Sequence, residues 1–458
     1  MIFNKEQRKR FFSHPGQVIS ASFAVIIALG TLLLMLPFSS KSGEFTPFLN
    51  AFFTATSATC VTGLVTYDTF SHWSNLGQGV ILALIQIGGL GLVTFTTFFN
   101  LALGRKMGLR TMRLAQESGS FDSFAEVNHL GRFVVKLSLV IELAGALLLC
   151  LTFVPRYGWG EGIFISIFLG ISAFCNAGFD ILGREGPYVS LTNYNGDPVV
   201  MTVIPLLIIL GGIGFIVIHD LMQYRKTKTL MLHTRIVLLV TGILIAFGTL
   251  TFLVMEWGNP GTLGALPVHQ RFGAALFQSV TMRTAGFNSV SIEALRAPTK
   301  FISILLMFIG AAPASTGGGI KLTTITVLVM TVVGVVKGRP DAIILRRRVP
   351  QSAVYKAMAV FCIGLLMVAL CTAAIYFRME NLNPGVNGLD VLFEEVSAFA
   401  TVGVSAGITA QADWMAKLLL IVSMFMGRVG PVSLALSLAM RGEGNKKEII
   451  PDGKILVG

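Results

Sequence analysis

The chain has 458 residues, 53% of them hydrophobic and 13% charged, with a formal net charge of +12. A soluble domain carries about 25% charged residues, so this composition excludes an ordinary soluble protein of two or three domains. The positive charge is spread over five separate segments rather than gathered on one domain, which excludes a nucleic-acid footprint as its cause.

Residues 1–16 are basic and aromatic, and no small-residue cleavage site follows them, so no cleavable signal is expected. Apolar runs then follow at 17–37, 75–102, 133–154, 199–223, 235–255, 353–377 and 415–439, with a longer, interrupted one at 300–336. Each exceeds the roughly 20 residues needed to cross a bilayer. Eight crossings would put both termini on one side. Most lysines and arginines lie in 1–16, 103–132, 224–235, 337–348 and 441–458, and most acids lie on the opposite set of loops. Basic loops stay cytoplasmic, so both termini are expected inside. The cysteines Cys60, Cys150, Cys175, Cys362 and Cys371 fall in apolar runs or beside glycine loops without CxxC spacing, which argues against disulfides and zinc.

Between the runs lie short amphipathic stretches at 46–58, 162–173, 268–281 and 388–398. They are too short to cross and read as re-entrant helices. A phenylalanine recurs in each: Phe53, Phe168, Phe277 and Phe393. Each stretch leads into a small-residue cassette: TCVTGL (59–64), FCNAGF (174–179), MRTAGF (282–287) and ATVGVS (400–405). Any one cassette is most simply a helix-breaking turn. Four of them, ending on Gly63, Gly178, Gly286 and Gly403, match the four contributors that a carbonyl ring for a dehydrated cation requires. The expected lining is Val61, Thr62 and Gly63; Asn176, Ala177 and Gly178; Thr284, Ala285 and Gly286; and Thr401, Val402 and Gly403, with potassium held at the glycines.

The cassettes mark an internal repeat. Two crossings per unit give every unit the same orientation, unlike inverted transporter repeats. The expected fold is an all-α membrane protein. It has four parallel repeats of helix, pore helix, filter loop and helix around a central pseudo-fourfold pore, with eight transmembrane helices. The expected boundaries are an N-terminal segment 1–16, repeat 1 at 17–104, a linker at 105–132, repeat 2 at 133–225, repeat 3 at 226–336, a basic linker at 337–352, repeat 4 at 353–440 and a tail at 441–458.

The second span of each unit carries a further motif: QIGGLGL (86–92), ILGGIGF (209–215), FIGAAP (308–313) and FMGRVGP (425–431). Small residues there let helices approach closely. Arg428 stands where the other units have Gly89, Gly212 and Ala311. A mid-span arginine is costly and faces an interior or a wet cavity, so Arg428 reads as an electrostatic plug in the cation path, or as the partner of Glu142. In the third unit the span breaks into AAPASTGGG, comprising Ala311, Ala312, Pro313, Ala314, Ser315, Thr316, Gly317, Gly318 and Gly319. Such a segment cannot continue a helix. It reads as an intramembrane gate, with a passive kink as the alternative. Arg283 reads as a brace against Glu394 or Glu395.

These residues resemble the membrane subunit of bacterial Ktr potassium-uptake systems, within the Trk/Ktr/HKT superfamily of cation transporters. The likeness covers essentially the whole chain. It rests on the four cassettes, TGGGIK (316–321), MGRVGP (426–431) and the tail IIPDGKILVG (449–458). It implies potassium uptake across a bacterial cell membrane through a channel-like pore, with the filter at the four glycines and the gate at 311–319 and Arg428. It also implies a homodimer, stimulation by sodium, and a cytosolic ring of regulatory subunits that bind ATP and ADP. The tail would serve dimer and regulator contacts. The chain itself has no GxxxxGK[ST] and no GxGxxG at a strand-to-helix turn, so no nucleotide cofactor is expected on it.

Three rivals make different demands. An intramembrane enzyme needs paired acids, a Ser/His pair or HExxH within spans; Glu142 stands alone in mid-span, Asp220 lies at a cytoplasmic span end, and the six histidines form no such set. A sodium- or proton-coupled cation symporter of inverted-repeat type needs oppositely oriented halves. A scaffold leaves the fourfold cassette without a reason.

Overall fold

Apolar composition and side-chain caps decide where the helices run. The computed structural model describes residues 15–91, 124–339 and 341–430. In chain order the principal helices are α1 (Pro15–Met35), α2 (Phe48–Cys60), α3 (Asn75–Leu90), α4 (Phe124–Tyr157), α5 (Trp159–Phe174), α6 (Pro198–Gly212) and α7 (Phe215–Thr227). They continue as α8 (Leu232–Glu256), α9 (Val268–Thr281), α10 (Ala297–Phe308), α11 (Leu322–Val336), α12 (Gln351–Leu382), α13 (Gly388–Phe399) and α14 (Trp414–Val429). Ser74, Asp197, Asn387 and Asp413 cap α3, α6, α13 and α14 by accepting from first-turn amides.

Residues 131–157 of α4, together with α8 and α12, are long and apolar enough to cross a bilayer unaided. The expected spans 75–102 and 415–439 are helical in α3 and α14, and their remainders, 92–102 and 431–439, lie outside the described residues. The same holds for residues 1–14, the linker 105–123 and the tail 441–458.

One run differs from the sequence reading. The run 199–223 is not one continuous helix: it breaks between α6 and α7, which meet at 96°. Gly214 sits in the break at φ +90°, and a Cβ there would lie 2.7 Å from the Pro313 carbonyl oxygen. Hydropathy alone hides this break, because both halves are apolar enough to read as one. The basic linker 337–352 contains a short hairpin. Ile343–Ile344 and Arg347–Arg348 pair antiparallel, and the chain turns at Leu345 and Arg346, both at positive φ.

The four short amphipathic stretches form helices as expected, as α2, α5, α9 and α13. Their phenylalanines Phe53, Phe168, Phe277 and Phe393 are fully buried, so the short helices are the centre around which the longer ones pack.

One surface cap gives a stability test. The Asp413 carboxylate accepts from the Ala416 amide at 2.9 Å and from Arg378 Nε at 2.7 Å. Burial pushes this carboxyl up, but the amide and the guanidinium together outweigh it and hold it below the usual range. A depressed carboxyl stabilises the fold above its unfolded-state pKa, and that stabilisation is lost as pH falls through the lowered folded value. Asp413→Ala is expected to cost about 1 kcal/mol, seen as a lower melting temperature at pH 7, with the gap to wild type closing in strong acid.

Candidate functional site

Each short helix ends where a cassette begins. Val61, Asn176, Thr284 and Thr401 take left-handed φ values of 58°, 59°, 71° and 52°. Two residues on, Gly63, Gly178, Gly286 and Gly403 are again positive, at 98°, 68°, 87° and 91°. Left-handed backbone is costly for non-glycine residues, and most of all for β-branched ones. Three of the four leading positions are β-branched, so the packing around them holds them there. Alternating handedness turns successive carbonyls toward one side, the arrangement a carbonyl cage needs.

The glycines close a ring. A Cβ on Gly63 would lie 2.5 Å from the Ala177 carbonyl oxygen; on Gly178, 2.7 Å from that of Ala285; and on Gly286, 2.7 Å from that of Val402. On Gly403 it would run into the carbonyl of Thr62. Each glycine thus backs onto the carbonyl preceding the next glycine, and the fourth returns to the first. Thr62, Ala177, Ala285 and Val402 are fully buried. The sequence reading named all twelve residues, and the structure brings them together.

Hydroxyls from the short helices secure the cassettes. Ser57 and Ser397 accept from the Gly63 and Gly403 amides at 3.1 Å. Ser172 and Thr281 donate to the Phe179 and Phe287 carbonyls at 2.7 Å. The sequence reading missed these residues. A signal was present: each lies four residues after the repeated phenylalanine, including the third unit, where the phenylalanine itself stands one residue nearer its glycine.

The second motif brings the inner helices onto the cassettes. At Gly88, Gly211 and Gly427 a Cβ would collide with the carbonyls of Thr59, Phe174 and Phe399, at the ends of α2, α5 and α13. The close approach expected from small residues is therefore real. In the third unit Gly310 meets the Gly318 carbonyl of the broken segment instead. α3, α6 and α14 all stop within three residues of these glycines.

The segment 311–319 packs against this assembly, with Ala311, Ala312, Thr316, Gly317 and Gly318 buried and Pro313, Ala314, Ser315 and Gly319 half-buried. The Ala312 and Thr316 amides donate to the Gly212 and Gly211 carbonyls at 3.0 and 3.2 Å, and Phe215 donates to the Ala314 carbonyl at 2.9 Å. The break between α6 and α7 therefore holds the segment. Ser315 donates to its own loop at Ala312. Pro313 and Ala314 lie against Gly214, and Ala311 and Ala312 are fully buried. Thr316 Oγ1 donates to the Phe174 carbonyl at 3.1 Å. Gly317 packs on the Thr284 hydroxyl, Gly318 on the Thr401 hydroxyl and Gly319 on Ala400. The segment thus touches the second, third and fourth cassettes at their helix ends.

Arg428 supplies the connection to the first unit. Its guanidinium donates to the Thr316 carbonyl on one side and to the Gly88 carbonyl on the other, with Gly89 at 3.4 Å. Glu142 is not its partner: that carboxylate accepts from Gln86 and Cys175. Lys321 folds back to donate to the Gly317 carbonyl at 2.6 Å. The brace expected for Arg283 also does not form. Glu394 is taken by Ser405, Ala406 and Thr409, and Glu395 by Ser423. Arg283 is buried with its Nε unpartnered among the described residues.

Apolar helices of membrane-crossing length packed around buried, irregular backbone define an integral membrane protein, since such backbone is tolerated at membrane depth only inside protein or beside a cavity. The chain belongs to the family of TrkH cation transport proteins, whose family model matches residues 2–447. It is a Ktr-type transport subunit and not an enzyme. It is 41% identical to the Ktr system potassium uptake protein B of Bacillus subtilis, over 97% of both chains. It is 37% identical to the potassium/sodium uptake protein NtpJ of Enterococcus hirae, over the full length of both. Among solved structures, the potassium transporter TrkH from Vibrio parahaemolyticus matches with a TM-score of 0.70, covering 92% of this chain and 84% of that one, at 19% identity. That match speaks for the fold.

Proposed function

We propose that the chain takes up potassium through a channel-like pore whose filter is the ring at Gly63, Gly178, Gly286 and Gly403, gated by residues 311–319 and Arg428. The observation that carries this reading is the closed cyclic order in which each glycine backs onto the next cassette's carbonyl. Four backbone loops from four parts of one chain have no packing reason to close on each other in sequence order. They do have one if an ion passes along the axis. The ends of α2, α5, α9 and α13 abut the ring and direct negative dipole ends toward it, which favours a cation. The Bacillus and Enterococcus relatives, a potassium uptake protein and a potassium/sodium uptake protein by name, agree with potassium as cargo.

In this reading the chain is four parallel repeats with eight crossings, sits in a bacterial plasma membrane and keeps both termini cytoplasmic. It forms a homodimer on a separate cytosolic ring that binds ATP and ADP, and sodium stimulates flux. The positive-inside charge pattern and the Ktr resemblance support these assignments.

The test is potassium flux into liposomes holding the purified chain, with sodium as competitor, alone and with a nucleotide-binding partner. Saturating potassium-selective flux is the expected result. Uptake strictly coupled to a counter-ion, with no electrical conductance, would replace the channel reading with a symporter.

A further inference from the structure

Glu142 has no part in the pore as described, yet its carboxylate is 4% exposed in the middle of α4. Carboxylates at such positions are expensive and persist where something depends on them. Both its oxygens accept from Gln86 Nε2 on α3, at 3.0 and 3.1 Å. Cys175, the residue that ends α5, donates its thiol to the same carboxylate at 3.8 Å. Gly170 brings α5 tightly onto α4 here, since a Cβ on it would lie 3.3 Å from the Glu142 carbonyl oxygen. Glu142 therefore ties the last turn of α3 to the start of the second cassette.

That last turn is where Arg428 lands. Gly88 and Gly89, two and three residues beyond Gln86, present the carbonyls that the guanidinium uses. Carbonyls at a helix C-terminus lack intrahelical partners and are free to accept, but their direction depends on how the last turn is held. At the end of α3 the Gly91 amide donates to the Gly88 carbonyl at 3.3 Å, but Gly88, Gly89 and Gly91 leave this turn permissive, so its direction depends on outside contacts. Gly89 packs directly on Cys175, with a would-be Cβ 2.5 Å from the sulfur.

We propose that Glu142 is a positioning residue for the gate. Through Gln86 it aims the Gly88 and Gly89 carbonyls at Arg428, so that Arg428 can clamp Thr316 and hold the 311–319 segment in place. This rests on the gating reading above.

The experiment measures unstimulated potassium flux in liposomes for Glu142→Leu, Glu142→Gln, Arg428→Ala and the Glu142→Leu/Arg428→Ala pair. Hydrogen exchange of residues 86–91 and 311–321 is followed in the same proteins. Glu142→Leu is expected to raise unstimulated flux by roughly 2- to 30-fold, the span over which such contacts bias a two-state element. Glu142→Gln keeps an oxygen that accepts from Gln86 and should stay near wild type, which a requirement for charge would not give. The double variant should leak no more than Arg428→Ala. Wild-type flux in a folded Glu142→Leu protein, or multiplying effects in the pair, overturns the proposal. If Glu142→Leu does not fold, Gln86→Leu breaks the same contact from α3 with the same expected outcomes. An Arg428→Ala protein with wild-type flux would sink the gate reading instead. Exchange then decides the positioning role: faster exchange at 86–91 in the leucine variant, restored by glutamine, upholds it, and unchanged exchange refutes it.

Discussion

Gly403→Ala is expected to abolish potassium flux while leaving the protein folded. The added Cβ would enter the space of the Thr62 carbonyl and come within 2.8 Å of the Gly63 Cα. Neither atom belongs to a flexible side chain, so the ring itself must move. The φ of +91° adds strain, since L side chains rarely adopt it. In the proposed filter the Thr62 carbonyl replaces part of the ion's hydration shell, and displacing it raises the barrier for the dehydrated ion. Each 1.4 kcal/mol of added barrier costs about tenfold in rate. Gly43→Ala is the control, with a similar φ of +71° and nothing within 4 Å of the new methyl. It carries the backbone strain without the collision and should conduct normally. Flux lost equally in both would mean that strain alone is responsible. Flux kept in Gly403→Ala would place the ion path away from the ring. Gly286→Ser tests the third position in the same way, against the Val402 carbonyl 2.7 Å from the new Cβ, and loss of potassium selectivity over sodium is its expected signature.

The cassettes and short helices were legible because each carries its own local signal, an amphipathic stretch, a buried phenylalanine and a glycine, and the signal is repeated. The broken segment was legible for a similar reason: Pro313 and the run Gly317, Gly318 and Gly319 cannot be helix. The break between α6 and α7 was not. It is imposed from outside, by the Ala314 carbonyl accepting from Phe215 and the Gly211 and Gly212 carbonyls accepting from the segment. ILGGIGF has the same composition whether or not a partner sits there. The partners of the charged residues were hidden for a related cause. A sequence invites pairing opposite charges, hence Arg283 with Glu394 and Arg428 with Glu142. In the folded chain Glu142, Glu395 and Glu394 accept from neutral donors, Gln86, Ser423 and Thr409, and Arg428 donates to backbone carbonyls. Neutral donors and backbone atoms carry no sequence label that marks them as partners.

That choice of partners sharpens the role of Arg428 and leads to the second large effect. A plug acts by its charge, and any cation in the same place would serve. A clamp acts by geometry, because one planar fork must reach the Thr316 and Gly88 carbonyls at once. Lysine supplies the charge but not the fork. Arg428→Ala is expected to raise unstimulated flux on either view. Each buried charge-assisted hydrogen bond it deletes is worth about 1.5–3 kcal/mol, so the closed-to-open ratio should fall by about tenfold or more for each. Arg428→Lys separates the two. Under the clamp it leaks nearly as much as alanine, and under the plug it stays closed like wild type. The segment itself provides the independent check. Removing Gly317 and Gly318 deletes the contacts with the Thr284 and Thr401 hydroxyls, and should leak in either background without adding to Arg428→Ala. A passive kink would instead lower the melting temperature and leave the flux of the surviving folded protein unchanged. Potassium flux into sodium-loaded liposomes, with a protonophore carrying the compensating charge, reads all of these variants on one scale.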